Sequence, residues 1–156
     1  MASGHGQTAG VIAPPPAIFA AGLALGSLLQ RIVPAPRLPG GVRRALGLPL
    51  VGLGLGLGVW AIRTMLQAGT PLEPSRPTTA IVSSGPYRLT RNPIYAGMAF
   101  LYTGLALVAG RLWALALLPG VLAVVQRGVI EREERYLEAR FGDEYRAYRA
   151  RVRRWL

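Results

Sequence analysis

The chain reads as an all-α, polytopic membrane protein with about four transmembrane helices, including a short helical hairpin, and a C-terminal amphipathic helical segment. Half of its 156 residues (51%) are apolar, the mean hydropathy is +0.34, and the apolar residues gather into long runs instead of alternating with charge. Runs of that length are membrane helices before they are elements of a soluble core. Charge sits between and after the runs: eighteen basic residues, all Arg, against seven acids, for a net charge of +11. A pI near 11.5 would suit nucleic acid, but Arg at the ends of apolar runs reads as a headgroup and orientation signal, so no nucleic-acid partner is expected.

Residues 1–16 form a flexible tail that ends in Pro14, Pro15 and Pro16 and holds the only His, His5. No basic residue precedes the first apolar run, so a cleaved signal peptide is not expected. With no Cys and one remote His there is no metal-ligand set and no thiol nucleophile. Ala17 to Val33 is the first membrane helix. Pro34, Pro36, Pro39, Gly40 and Gly41 then give a stiff connection carrying Arg37, Arg43 and Arg44. The second helix, Ala45 to Gln67, contains glycines at 52, 54, 56 and 58. Inside a membrane-length segment, with no preceding strand, these are not a phosphate loop; Gly54 and Gly58, four apart, make a small face on which another helix can close.

Gly69 to Pro93 is a polar loop of 25 residues, longer than a plain connection needs. Ile94 to Ala109 and Leu112 to Gln126 follow as a hairpin broken at Gly110-Arg111. Arms of about 15 residues reach only about 22 Å against a hydrocarbon core of roughly 30 Å, so they are extended by polar turns or sit in thinned bilayer. The segment from Val129 to Leu156 holds six of the seven acids and eight Arg, with Ile130, Leu137, Phe141, Tyr145, Tyr148, Val152 and Trp155 at helical spacing. Gly142 reads as a left-handed helix stop and Asp143 as the next amino-terminal cap. Residues 17–68 thus form two transmembrane helices and 69–156 the functional core, comprising the loop, the hairpin 94–126 and the helices 129–156. Four spans put both termini and the long loop on one side, with twelve Arg against five opposite, which predicts that this side is cytoplasmic.

The loop ends in Ser-Gly-Pro-Tyr-Arg-Leu-Thr-Arg-Asn-Pro-Ile-Tyr-Ala-Gly, residues 84–97. Pro93 suits the first turn of the next helix and Asn92 its cap, so a capped helix with Arg residues at the headgroups is the plain reading. Glu133 and Glu134, after the other arm of the hairpin, lie four and three residues before the apolar Leu137 and project near the buried face, where they want cations such as Arg88 and Arg91. Together the two clusters offer guanidinium for a carboxylate, carboxylate for an ammonium or ribose hydroxyls, and phenols for a flat ring. S-adenosylmethionine carries all of those groups, whereas a nicotinamide dinucleotide asks for more phosphate contacts.

Residues 84–97, followed some 35 residues on by Glu-Arg-Glu-Glu-Arg-Tyr and Phe-Gly-Asp-Glu-Tyr-Arg-Ala-Tyr, resemble the membrane methyltransferases typified by isoprenylcysteine carboxyl methyltransferase and the phospholipid N-methyltransferases. The resemblance runs from about Thr78 to Trp155. It implies a pocket for S-adenosylmethionine lined by Tyr87, Arg91, Asn92, Pro93, Tyr95 and Gly97 and closed by Glu133 and Glu134, with Tyr145 and Tyr148 packing in the last helix. Arg88 and Arg91 are the candidate catalytic residues, Arg88 holding the anionic end of the acceptor. Asn92 stands where the family has His and cannot titrate, so a proton-accepting role there is lost. A sulfonium methyl is already activated, and alignment with exclusion of water is the main task. With few bases available, a lipophilic carboxylate or thiolate is expected as acceptor over an amine. Two alternatives stay open: a non-catalytic module whose Arg-rich tail binds anionic lipid, and a sterol-type NADPH reductase.

Overall fold

The structure, a computed structural model, describes residues 10–36, 38–71 and 78–156. His5, Arg37, Arg76 and most of the N-terminal tail lie outside the described residues. Within them the chain is all-helical: α1 (Pro15–Ile32), α2 (Gly40–Gln67), a 3-10 turn (Gly85–Arg88), α3 (Pro93–Ala109), α4 (Leu112–Val125), a π turn (Gln126–Ile130), α5 (Glu131–Phe141) and α6 (Asp143–Arg151).

Two boundaries differ from expectation for local reasons. Prolines open α1 at its first turn, where the missing N–H donor costs nothing. In the same way Pro39 precedes α2, which starts at Gly40, so Arg43 and Arg44 belong to its opening turns and not to the connection. Arg43 crosses to α3, where its Nη1 donates to the Val108 carbonyl at 3.3 Å. The second hairpin arm does not stop at Gln126. It runs through the π turn into α5, making one continuous helix from Leu112 to Phe141, 30 residues long. The separate surface helix expected from Val129 is therefore the polar end of α4, lifted out of the apolar zone by the seven charged residues of α5.

Length and composition qualify two helices to cross a membrane, Gly40–Gln67 and Leu112–Phe141, in place of the four expected. The 17 residues of α3 rise about 25 Å, less than the hydrocarbon core. Only 17% of the most apolar window of α2 is buried, so it is not the core helix of a soluble protein. Leu46, Leu53, Leu55, Trp60 and Leu66 on α2, with Leu25 and Leu28 on α1, face outward. An apolar surface of that extent suits lipid, not water.

Small residues set the helix spacing. Gly47, Val51, Gly54 and Gly58 of α2 meet Gly97, Leu101, Gly104 and Val108 of α3, both series stepping four, three, four. A Cβ on Gly54 would stand 2.6 Å from the Gly97 carbonyl oxygen, so these backbones touch. Gly54→Val is expected to lower the apparent Tm in detergent by several degrees, since overpacking a filled contact costs about 1–3 kcal/mol; Gly52→Val, on a face with nothing nearby, is expected to leave it unchanged. On the other side α1 packs on α4 through Gly22 and Gly26, and Phe19 meets Tyr102 edge to face at 6.1 Å. The hairpin closes at Gly110, which is left-handed with φ 67°, and Tyr102 ties its arms by donating to the Ala114 carbonyl at 2.7 Å.

Gly142 ends α5 at φ 53°, ψ −120°, outside the left-handed helical region but still a conformation that glycine alone adopts easily. Asp143 is thereby the first residue of α6 instead of its cap, and pairs with Arg146 at 2.6 Å.

Candidate functional site

Gly85 opens the 3-10 turn with φ 55°, and a Cβ there would meet Thr64 Oγ1 at 2.8 Å and Trp60 Nε1 at 3.2 Å. Glycine is thus required twice, for the conformation and for the close seat on α2. The turn buries Pro86 and Tyr87. The Tyr87 carbonyl accepts the Tyr148 hydroxyl at 2.8 Å, fastening α6 beneath the turn.

Past the turn, the last residues of the chain are stitched to the loop. Arg91 N–H donates to the Arg153 carbonyl at 2.8 Å, and Thr90 Oγ1 donates to the Arg154 carbonyl at 2.8 Å. Asn92 occupies the cap position of α3, as its sequence neighbours suggest, yet its side chain makes no capping bond. Its Nδ2 instead donates to the Arg154 carbonyl at 3.0 Å. Trp155 Nε1 donates to Gln126 Oε1 at 3.1 Å and pins the strap to the π turn.

The adjacent acids are separated by their partners. Glu134 Oε1 lies 3.0 Å from Arg91 Nη2, both side chains being 9% exposed. Arg154 grips the same carboxylate with Nε at 3.0 Å to Oε1 and Nη2 at 2.7 Å to Oε2. Glu133 has no cation beside it among the described residues. Its Oε1 accepts the Tyr95 hydroxyl at 2.7 Å. Burial drives the Glu133 carboxyl up to about 7, the Tyr95 hydrogen bond pulls it back, and the charge of Glu134 adds to the rise.

One cavity gathers these groups. Arg91, Asn92, Glu133 and Glu134 form its polar end; Tyr87, Tyr95, Tyr136, Tyr145 and Tyr148 wall it, and Met65, Ile81, Val82 and Leu137 complete its apolar side. Two nitrogens of Arg91, Nε and Nη1, are buried without a hydrogen-bond partner among the described residues. Burial raises the Tyr87 and Tyr148 phenols and pushes Tyr145 up to about 12, so these three stay protonated at neutral pH.

Of the residues singled out from sequence, Tyr87, Arg91, Asn92, Pro93, Tyr95, Glu133 and Glu134 line this cavity, and Arg88 and Gly97 do not. Arg88 is exposed at the end of the 3-10 turn. Gly97 is buried against Gly54 and Gly58, where its missing side chain serves helix packing. Tyr145 and Tyr148 pack as expected, at 2% and 5% exposure, and are walls as well. Arg154, Tyr136 and Met65 were not foreseen. Tyr136 sits two residues beyond Glu134, where only its hydrogen bond from the Thr78 N–H at 3.2 Å reveals that it turns to the loop. Arg154 is one of eight Arg in the C-terminal segment, with nothing local to distinguish it.

The family model described as phospholipid methyltransferase matches residues 42–144, so the likeness takes in α2 as well as the segment after Thr78. An uncharacterized protein of Haemophilus influenzae is 49% identical over 57 residues, which cover 33% of this chain and 90% of that protein. No solved structure matches the chain.

Proposed function

The chain belongs to the phospholipid methyltransferase family, and from that membership we propose that it is a membrane methyltransferase that draws its methyl group from S-adenosylmethionine. One observation carries the choice of cofactor: a single cavity holds a buried guanidinium, on Arg91, with two nitrogens that have no partner among the described residues, and a desolvated carboxylate, on Glu133, with no cation beside it among those residues. Such a pair is the complement of a zwitterionic amino-acid head. Arg91 would hold the cofactor's carboxylate and Glu133 its ammonium, while the tyrosine walls suit the flat adenine. When bound, S-adenosylmethionine supplies a methyl group already activated on a sulfonium sulfur. The protein's own part is to hold the two ends, keep water out with its aromatic walls and leave the acceptor a dry approach.

The acceptor we infer is lipophilic, because the cavity lies where α3 and the polar end of α4 leave an apolar, outward-facing bundle. With Glu133 engaged by the ammonium and Glu134 held by two guanidinium groups, neither carboxylate of the cavity is free to take a proton, which favours a carboxylate or thiolate acceptor over an ammonium. The cavity end of the bundle, with its Arg-rich α5 and α6, faces the cytoplasm in this reading, and the chain crosses the membrane more than once.

Calorimetric titration of the detergent-purified protein with S-adenosylhomocysteine at pH 6, 7 and 8 tests the proposal. Only ionised Glu133 can hold the ammonium. With its folded pKa at about 7, the competent fraction rises from about a tenth at pH 6 to about nine tenths at pH 8, so Kd should fall about tenfold over that span. Absence of binding by folded protein in nanodiscs, at every pH, would sink the cofactor; binding without pH dependence would remove Glu133 from the site. Transfer of labelled methyl into a lipid extract then identifies the acceptor.

A further inference from the structure

We propose that Arg154 is a positioning residue that keeps Arg91 open to an incoming carboxylate, by occupying the Glu134 side chain that would otherwise close over it. The proposal rests on the cofactor reading above. Arg154 does not line the cavity, and its side chain is 30% exposed.

A carboxylate beside a single guanidinium in a dry site takes it at two points, since two parallel N–H···O bonds are worth more than one. Glu134 has a guanidinium on each side and divides itself unequally. Arg154 holds it at two points, with Nε on one oxygen and Nη2 on the other. Arg91 reaches it through Nη2 alone, at 3.0 Å. The consequence is visible on Arg91, whose Nε and Nη1 are buried and have no partner among the described residues.

Arg154 is fixed for this task from both its backbone and its side chain. Thr90 and Asn92 both donate to its carbonyl. Its Nη1 lies 3.7 Å from Glu131 Oε1, and the neighbouring Trp155 is bonded to Gln126. The same residue therefore joins the loop that supplies Arg91 to the helix that supplies Glu134. Without the Arg154 fork, Glu134 is free to swing its second oxygen onto Arg91 and consume the donors that the cofactor needs.

Two nucleosides separate this role from a structural one. S-adenosylhomocysteine carries the amino-acid head, and 5′-methylthioadenosine has the adenosine and thioether without it. Calorimetry on wild type and on Arg154→Gln in the same detergent should show S-adenosylhomocysteine weakened on the order of tenfold or more, as for loss of one charge-assisted hydrogen bond, and methylthioadenosine within about twofold. Arg154→Lys keeps the charge but offers no planar fork, so its ratio of the two affinities should fall in the same direction even if the Gln variant does not fold. Equal weakening of both nucleosides, or no change in either, would overturn the positioning role while wild-type binding keeps the cofactor reading. A folded wild type that binds neither nucleoside overturns both.

Discussion

Glu133→Gln is expected to weaken S-adenosylhomocysteine binding by on the order of a hundredfold and to leave the protein at least as stable as the wild type. The first effect follows from removing the one negative charge placed to meet an ammonium in a dry cavity, a charge-assisted contact worth roughly 1.5–3 kcal/mol. The second follows from linkage. The folded-state pKa of Glu133, about 7, lies above its ordinary value of 4.5, so the folded state binds the proton more tightly than the unfolded one. The stabilising effect of that proton is complete below about 4.5 and is lost as pH rises to about 7, so the ligand-free wild type should soften over this window and the Gln variant should not. Calorimetry at pH 8, with melting curves at pH 5 and pH 8, reads both effects. Undiminished binding by the variant would leave the cation-free carboxylate without a role.

One residue further along, the same substitution should do the opposite. Glu134→Gln is expected to lower the apparent Tm by ten degrees or more, because it removes the carboxylate that buried Arg91 and half-buried Arg154 share within 3.0 Å and leaves the two guanidinium groups side by side. Breaking a buried pair by removing one partner costs about 3–5 kcal/mol, and here one acid serves two cations. The Arg154 contacts also hold the terminal strap over the loop that carries Thr90 and Asn92, so the loss should spread to that strap. Trp155 lies in it, and its fluorescence, isolated in a Trp60→Phe/Trp113→Phe background and followed through thermal unfolding, reports the change. A variant that melts with the wild type would show that the two guanidinium groups find water instead of repelling, and would dismiss Glu134 as the keystone of the cluster.

The contrast between these neighbours shows where local reasoning stops. Adjacent Glu residues near an apolar stripe give the same sequence signal, and both are expected to meet cations. Which of them does is decided by Arg91, 43 positions away from Glu134, and by Arg154, 20 positions away. Gly97 and Arg88 make the same point from the other direction. Each lies inside the run of residues 84–97, six of which line the cavity, but Gly97 falls on the face of α3 that meets α2, and Arg88 ends a short turn whose buried members are Pro86 and Tyr87.

Composition and short-range pattern determined the all-helical class, the apolar outward surface, the hairpin broken at Gly110 and the Gly54 and Gly58 contact face, while seven of the residues that share the cavity were implied by the resemblance to the membrane methyltransferases. The former features follow from interactions spanning a few residues: propensity, capping, proline stops and helical period. The tertiary structure alone decided that α4 continues through a π turn into α5, and that Glu134 is neutralised while Glu133 meets no cation among the described residues. It also recruited Arg154 from the end of the chain. The physical reason is range, because ion pairing and desolvation are settled by approaches of 3–4 Å between side chains tens of residues apart, and no periodicity along the chain encodes those distances.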